Sequence, residues 1–416
     1  MGCPGGVAGR LCQDSSMRVV IAPDCFGETL TAEQAAIAIA AGWLRAAPRD
    51  ELDLSPLADG GPGFVQALRA TLGGELLAAT VRSPVFADVP AVVLVVDGPG
   101  GIRTAYLESA QAAGLALVPL ARRDPTRTST YGVGELLRVA LQAGATRVVV
   151  GLGGSGTNDA GAGMLAALGV GPGAGAGRSG VLARGGGGLG AVTAADLAGL
   201  AELRARLAGV ELLVATDVDV PLLGLHGSSA GFAPQKGATP EQAQELERAL
   251  GSFAHAAVAA LGPGVVRPDL LASSRTASPV ARLTGLPGAG AAGGLGFGLA
   301  LLGARIVSGS GLVADAVGLS ARIGAADVVV TGEGTFDWQS LHGKVVAAVA
   351  ERGLASGVPT VVIAGQVQVG RREWGAAGIA GAYAVAQTTE QVAESLADPA
   401  GTLAARSERV ARTWSR

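Results

Sequence analysis

The chain has 416 residues, 67 of them Gly and 20 Pro; 49% are hydrophobic, 16% charged and 3% aromatic, and the formal charge is -3. Low charge with abundant aliphatic residues excludes intrinsic disorder and leaves length for two or more compact units. With no basic footprint and no block of like charge, nucleic acid and anionic membrane are poor partners.

Residues 1–16 lack a charged and apolar leader pattern and read as an unstructured extension ahead of Met17. Cys3, Cys12 and Cys25 are odd in number and lack zinc spacing, which suits a reducing, cytoplasmic setting. From Met17 onward, aliphatic runs alternate with Ala-rich helical stretches. Strands are expected at Arg18–Ala22, Ala91–Val96, Arg147–Val150, Leu212–Ala215, Asp327–Thr331 and Thr360–Ala364. Their continuous apolar character implies burial on both faces, hence mainly parallel sheets covered by helices. Thr31-Ala32-Glu33-Gln34 is a capping box opening a helix to about Arg45, and Thr239-Pro240-Glu241-Gln242 opens another with Pro at its first position. The Gly and Ala stretch 171–190 has too little side chain to pack and reads as a flexible loop. The uncharged run Leu283–Ala304 is Gly-rich with thin aliphatic content, which suits a loop entering a helix better than a membrane span. The expected class is α/β, with two sheets rather than one.

Five Gly- and Asp-rich segments accompany these strands, where open α/β sheets place ligands: Asp24 after the first strand, Ala58-Asp59-Gly60-Gly61, Gly151–Gly163, Asp217-Val218-Asp219, and Thr331-Gly332-Glu333-Gly334. Gly151-Leu152-Gly153-Gly154-Ser155-Gly156 matches the dinucleotide fingerprint GxGxxG, but the region where a ribose-binding acid belongs is the Gly-rich 171–190. An NAD site therefore loses support, and a backbone anion site at a helix start remains. Gly343-Lys344 is not a Walker A motif. Gly227-Ser228-Ser229-Ala230-Gly231 matches GxSxG without the strand and helix of a nucleophile elbow, so it reads as a plain loop. His226, His255 and His342 have no ligand spacing. Of 31 basic residues only Lys236 and Lys344 are lysine, and both stand in Gly-flanked segments near helix starts, where an ammonium can meet a phosphate as a point charge.

At these segments the sequence resembles the glycerate kinase family of the bacterial glycerate 2-kinase type, from Met17 nearly to the C-terminus. The carrying motifs include Val20-Ile21-Ala22-Pro23-Asp24, Ala58-Asp59-Gly60-Gly61, Gly151–Gly163, Asp217-Val218 with Pro221-Leu222-Leu223-Gly224, Ala233–Ala238, Pro287–Gly294, Thr331-Gly332-Glu333-Gly334 with Asp337, and Gly343-Lys344. The resemblance implies ATP-dependent phosphorylation of D-glycerate, or a related hydroxy acid, at the 2-hydroxyl with Mg²⁺. It also implies two α/β domains of Rossmann or flavodoxin-like type with a cleft between them. One domain would be discontinuous, from 17–85 and 285–416, with 86–284 inserted; a homodimer is a candidate assembly. Phosphoryl transfer asks mainly for positioning and charge neutralisation. On that basis Lys236 and Lys344 offset phosphate charge, Asp217 or Asp159 orients the acceptor hydroxyl as general base, and Glu333 and Asp337 are candidates for Mg²⁺. Asp24, Asp59, Gly153, Gly154, Ser155, Asn158, Gly290 and Gly293 are assigned to substrate and phosphate binding, with Asp24 and Asp59 expected to matter more to loop geometry than to chemistry. Gly27, Pro62, Val220 and Thr335 replace polar family residues, and they favour a second reading: a weak or inactive relative that binds a nucleotide or metabolite.

Overall fold

The computed structural model describes residues 16–172, 180–262, 265 and 278–415. Apart from Ser16, the extension expected for 1–16 lies outside the described residues, as does 173–179 of the Gly-rich stretch. All six expected strands are present. Strands β1 (Arg18–Ile21), β2 (Glu51–Leu54), β9 (Val328–Thr331), β11 (Thr360–Ala364) and β13 (Ile379–Ala384) form a five-stranded parallel sheet in the order β13-β11-β9-β1-β2. A second sheet runs β3 (Glu75–Arg82), β4 (Asp88–Asp97), β5 (Arg103–Glu108), β6 (Arg147–Gly151), β7 (Glu211–Ala215), β8 (Arg305–Val307) in sequential order. It is antiparallel from β3 to β5 and parallel from β5 to β8, and two short strands, β10 (Thr335–Phe336) and β12 (Gln366–Val367), pair separately.

Continuous apolar strands appear because both faces are buried. In β1, Val19 and Ile21 face a core shared with the Ala32–Ala46 helix, while Val20 and the following Ala22 face the Phe64–Leu72 helix. That second core also takes in Leu94, Tyr106, Val149 and Leu213 of the other sheet, so the two sheets share one apolar layer. β3 and β8 belong to the six-stranded sheet, so that sheet draws its strands from residues 75–307.

Both capping boxes form, at Thr31 and Thr239, with the helices Ala32–Ala46 and Pro240–Leu261 behind them. The loop expected at 171–190 is corrected over its second half: Val181–Ala183 and Gly186–Ala191 are short 3-10 turns with Leu182, Ala183 and Leu189 buried. Glycine permits this packing, because a Cβ at Gly186 would collide with the Asn158 carbonyl. Among the described residues no helix is long and apolar enough to cross a membrane, and Leu283–Ala304 contains the expected helix entry at Ala291–Leu301.

The order of the five-stranded sheet locates its ligand edge. β1 pairs with β2 on one side, while every later strand builds on the other side through β9. The direction of winding reverses between β1 and β9, and ligands of open α/β sheets lie beyond the carboxyl ends of the strands at such a point.

Candidate functional site

Two acids stand at that reversal. Asp24 follows β1 and Glu333 follows β9, and the two strand ends are held together by Asp24 N–H donating to Gly332 O (2.8 Å) and Thr331 Oγ1 donating to Ala22 O (2.7 Å). Asp59 follows β2 and acts electrostatically on both. Burial, then the Asp59 charge, pushes the Asp24 carboxyl up to about 8, against a Cys25 N–H that donates to Oδ1 at 2.7 Å. Burial likewise raises Glu333 to about 7, with Lys344 pulling down and Asp337 and Asp59 pushing up. Glu333 Oε1 is buried with no hydrogen-bond partner, and among the described residues the Lys344 side chain makes no hydrogen bond or close ion pair. Burial, then the Asp24 and Asp59 charges, pushes the neighbouring Cys25 thiol up to about 12, which leaves it unreactive.

Carboxyls of this kind give a signed dependence on pH. Each folded value lies above its unfolded reference of 3.8 or 4.5, so the folded state holds these protons more tightly. The stability they contribute is fully present below the reference values and is lost as pH rises through about 7 to 8. The ligand-free melting temperature is expected to fall on the order of 5 °C between about pH 5 and pH 8. A calorimetric series showing a rise across that window would contradict the assignment.

Beside the acids, glycine-rich backbones pack directly on one another. Gly60 and Gly61 lie against Ala215 and Gly153, where a Cβ on Gly153 would stand 2.5 Å from the Gly61 Cα. Gly293, at φ +72°, lies against the Thr157 carbonyl, and Ala160 N–H donates to Gly293 O at 3.0 Å. Ala160 and Ala292 both adopt φ +51°, a strained region for a residue with a Cβ and one that recurs at ligand clamps. Lys236 completes this interlock: 2% exposed, it donates to Ser155 Oγ (3.0 Å) and Thr157 O (2.7 Å), and burial lowers it to about 7 despite the Asp159 charge. Gly153, Gly154, Ser155, Lys236, Gly290 and Gly293 line one pocket of about 370 Å³. The sequence had placed these six at a binding site without showing that they share one cavity.

Other expected site residues face inward. Asp159 is fully buried; its Oδ2 accepts from Thr130 N (2.8 Å), Thr130 Oγ1 (3.0 Å) and Gly163 N (3.2 Å), and its Oδ1 accepts from Gly161 N (3.1 Å). It holds N–H groups at the start of the Ala162–Ala167 helix, and a carboxylate so occupied is badly placed to take a substrate proton. Asn158 spends its amide on Ser229 (3.0 Å) and Ser228 (3.2 Å), two buried residues that open a short helix, Ser228–Phe232, where the sequence suggested a plain loop. Asp217 accepts from Ser308 Oγ (2.8 Å), Gly309 N (2.9 Å) and Ser310 N (3.0 Å), capping the Gly309–Ala316 helix, and burial raises its pKa. Asp337 Oδ1 accepts from Gln339 N (2.8 Å) and Ser340 N (3.2 Å), closing a local turn.

Sequence reasoning missed two residues. Glu108, at the end of β5, accepts from Gly63 N (3.0 Å) and Val65 N (3.4 Å), and burial raises it to about 7. Its carboxylate pins the start of the Phe64–Leu72 helix to the six-stranded sheet. Arg123 lines the pocket with its Nε buried and unpartnered. Nothing in the run Ala121-Arg122-Arg123-Asp124 separates it from the exposed Arg122.

Comparison with known proteins gives one consistent family. The model of the glycerate kinase family matches residues 19–415. The chain is 38% identical over 401 residues to a glycerate kinase of Halalkalibacterium halodurans, covering 96% of this chain and 99% of the relative. It is 39% identical over 352 residues to the glycerate 2-kinase of Escherichia coli, covering 84% and 86%. A crystal structure assigned as glycerate kinase 2, from Salmonella typhimurium LT2, superposes with a TM-score of 0.74 at 36% identity, covering 96% of this chain and 98% of that one. A mainly parallel α/β fold, glycine-rich strand ends and a match across nearly the whole chain converge, and the chain belongs to the glycerate kinase family, whose members are kinases.

Proposed function

We propose that this kinase uses ATP and Mg²⁺ to phosphorylate the 2-hydroxyl of D-glycerate or a close hydroxy acid. The observation that carries this is the pocket of about 370 Å³ lined by two glycine-rich backbones, one of which packs through Gly153 on Gly61, next to Asp59 of the three mutually repelling acids. Backbone N–H groups of Gly153–Ser155 suit phosphate oxygens, and Lys344, whose side chain has no hydrogen-bond partner among the described residues and whose charge acts on Glu333, suits the transferring group. Asp24 replaces Asp159 and Asp217 as general base, because its pKa lies near working pH while theirs serve helix starts.

The residues also fit Mg²⁺. Among the described residues no group of three or more His, Cys, Asp or Glu could hold a metal ion. Mg²⁺, however, is usually held by one or two carboxylates together with substrate phosphates. Glu333, with its orphaned Oε1, and Asp59 would supply that donor set, with Asp337 acting through charge. Bound there, the ion would neutralise charge on the phosphates. The division into two α/β domains, drawn at the sheets, is part of the same proposal, as are a cytoplasmic setting and a homodimer.

ADP release over a panel of hydroxy acids, with phosphorus NMR of the product, tests the reading. A 2-phosphorylated acid is the expected product. ATP binding without turnover of any acceptor would instead favour a binding relative, the reading that Gly27, Pro62, Val220 and Thr335 suggest. Of these, Pro62 lines the pocket, whereas Gly27 is exposed at φ +58° with nothing within 4 Å of an added Cβ.

A further inference from the structure

Of the two cations lining the pocket, one is already spent. Lys236 directs its ammonium to Ser155 Oγ and Thr157 O, so it braces the glycine-rich loop. Arg123 stands differently. Its Nε is buried with no partner, and among the described residues it forms no ion pair, although it lines the same cavity. A buried donor left unpaired is unfavourable and rare in native proteins, and it calls for a missing partner. The only carboxylate lining the pocket, that of Glu28, is exposed and makes no ion pair with it.

The backbone holds Arg123 in place without using its side chain. Gly237, at φ +100°, packs flat on the Arg123 carbonyl, where a Cβ would collide. Asp124 Oδ1 then closes the next turn by accepting from Thr126 N (3.0 Å) and Thr126 Oγ1 (2.6 Å). Gly187 N–H donates to Thr126 O at 2.9 Å, so the 3-10 turns of 181–191 buttress the same segment. The backbone of Arg123 is thus fixed at the pocket while its side chain is left unpaired and available to an anion.

We infer that Arg123 reads the carboxylate of the acceptor, making it the residue that restricts this kinase to hydroxy acids. The inference rests on the function proposed above. A planar fork matches a carboxylate through two parallel N–H bonds. A cavity of about 370 Å³ is at the small end of ligand pockets and suits a short organic acid. Phosphate oxygens have other donors there, in the glycine-rich backbone.

The test compares wild type, Arg123→Gln and Arg123→Lys with D-glycerate and with its amide, in which the carboxylate charge is gone. Wild type should prefer glycerate to the amide by on the order of 100-fold in kcat/KM, and Arg123→Gln should erase that preference by raising KM for glycerate, with KM for ATP within about 2-fold. Arg123→Lys should recover only part of it. Glycerate binding measured by calorimetry should be lost in Arg123→Gln, while its melting temperature holds or rises because an unpaired donor has been removed. If Arg123→Gln keeps the preference, or raises KM for ATP instead, Arg123 does not read the carboxylate while the kinase reading stands. If wild type neither binds nor turns over any hydroxy acid, both fall together.

Discussion

Asp24→Asn is expected to lower kcat by about 1,000-fold, within the range for losing a positioned general base, while raising the melting temperature of the ligand-free protein near pH 8. The two effects have one cause. Asp24 is an acid kept in a buried place beside Asp59 and Glu333, and its carboxyl is pushed up to about 8 because the ionised form is disfavoured there. Asn carries no charge, removes that repulsion, and can still accept the Cys25 N–H that now donates at 2.7 Å. Loss of activity with gain of stability is the signature of a site whose electrostatics serve chemistry at the expense of the fold. The wild-type kcat/KM profile should rise toward pH 8 and flatten, and the variant should lack that limb. Equal losses of activity and stability would mean that Asp24 only shapes its loop, as its place in a turn after β1 suggests from sequence.

Gly293→Ala should destabilise the protein by about 4 kcal/mol or more, lowering the melting temperature on the order of 10 °C. The added methyl would collide with the Thr157 carbonyl and Asn158 backbone, at a residue whose φ of +72° already disfavours any side chain. Neither segment can yield easily. Ala160 N–H is bonded to Gly293 O at 3.0 Å, and Thr157 O also receives the Lys236 ammonium at 2.7 Å. Gly188→Ala is the control: it lies in an equally Gly-rich run, yet an added Cβ meets nothing closer than 3.8 Å, and its melting temperature should stay within about 2 °C of wild type. Should the two variants melt alike, the interlock does not hold the site together.

The frame of the fold was legible because its physics is local. Val148–Val150 and Val361–Ile363 are continuous apolar runs, and the Thr31 and Thr239 boxes satisfy helix-start donors within four residues. β3 was not legible. It is an edge strand of mixed exposure, Glu75–Arg82, without the continuous apolar run that betrays a strand buried on both faces. The candidate site divides in the same way. Gly153, Ser155 and Gly293 could be found as glycine-rich strand ends, and Lys236 by the scarcity of lysine. Which aspartate does what could not be found, because Asp24, Asp159 and Asp217 all stand beside strand ends. Only their partners separate them: Thr130, Gly161 and Gly163 consume Asp159, Ser308–Ser310 consume Asp217, and Asp24 is left among like charges.

The reversal between β1 and β9 also governs how the protein is made. Val20 pairs with Val329, and Thr331 reaches Ala22 across 309 residues of sequence, so the second wall of the site emerges long after the first. Ser407 Oγ donates to Ile39 O at 2.7 Å, across a still longer span, as the Pro399–Trp414 helix covers the first helix. During synthesis β1 must wait as an apolar strand with an open edge while the whole six-stranded sheet is translated, a state prone to slow folding and misassociation. Catalytic competence therefore arrives abruptly near the end of translation, and an interrupted chain would carry the pocket-lining glycines without the Glu333 carboxylate.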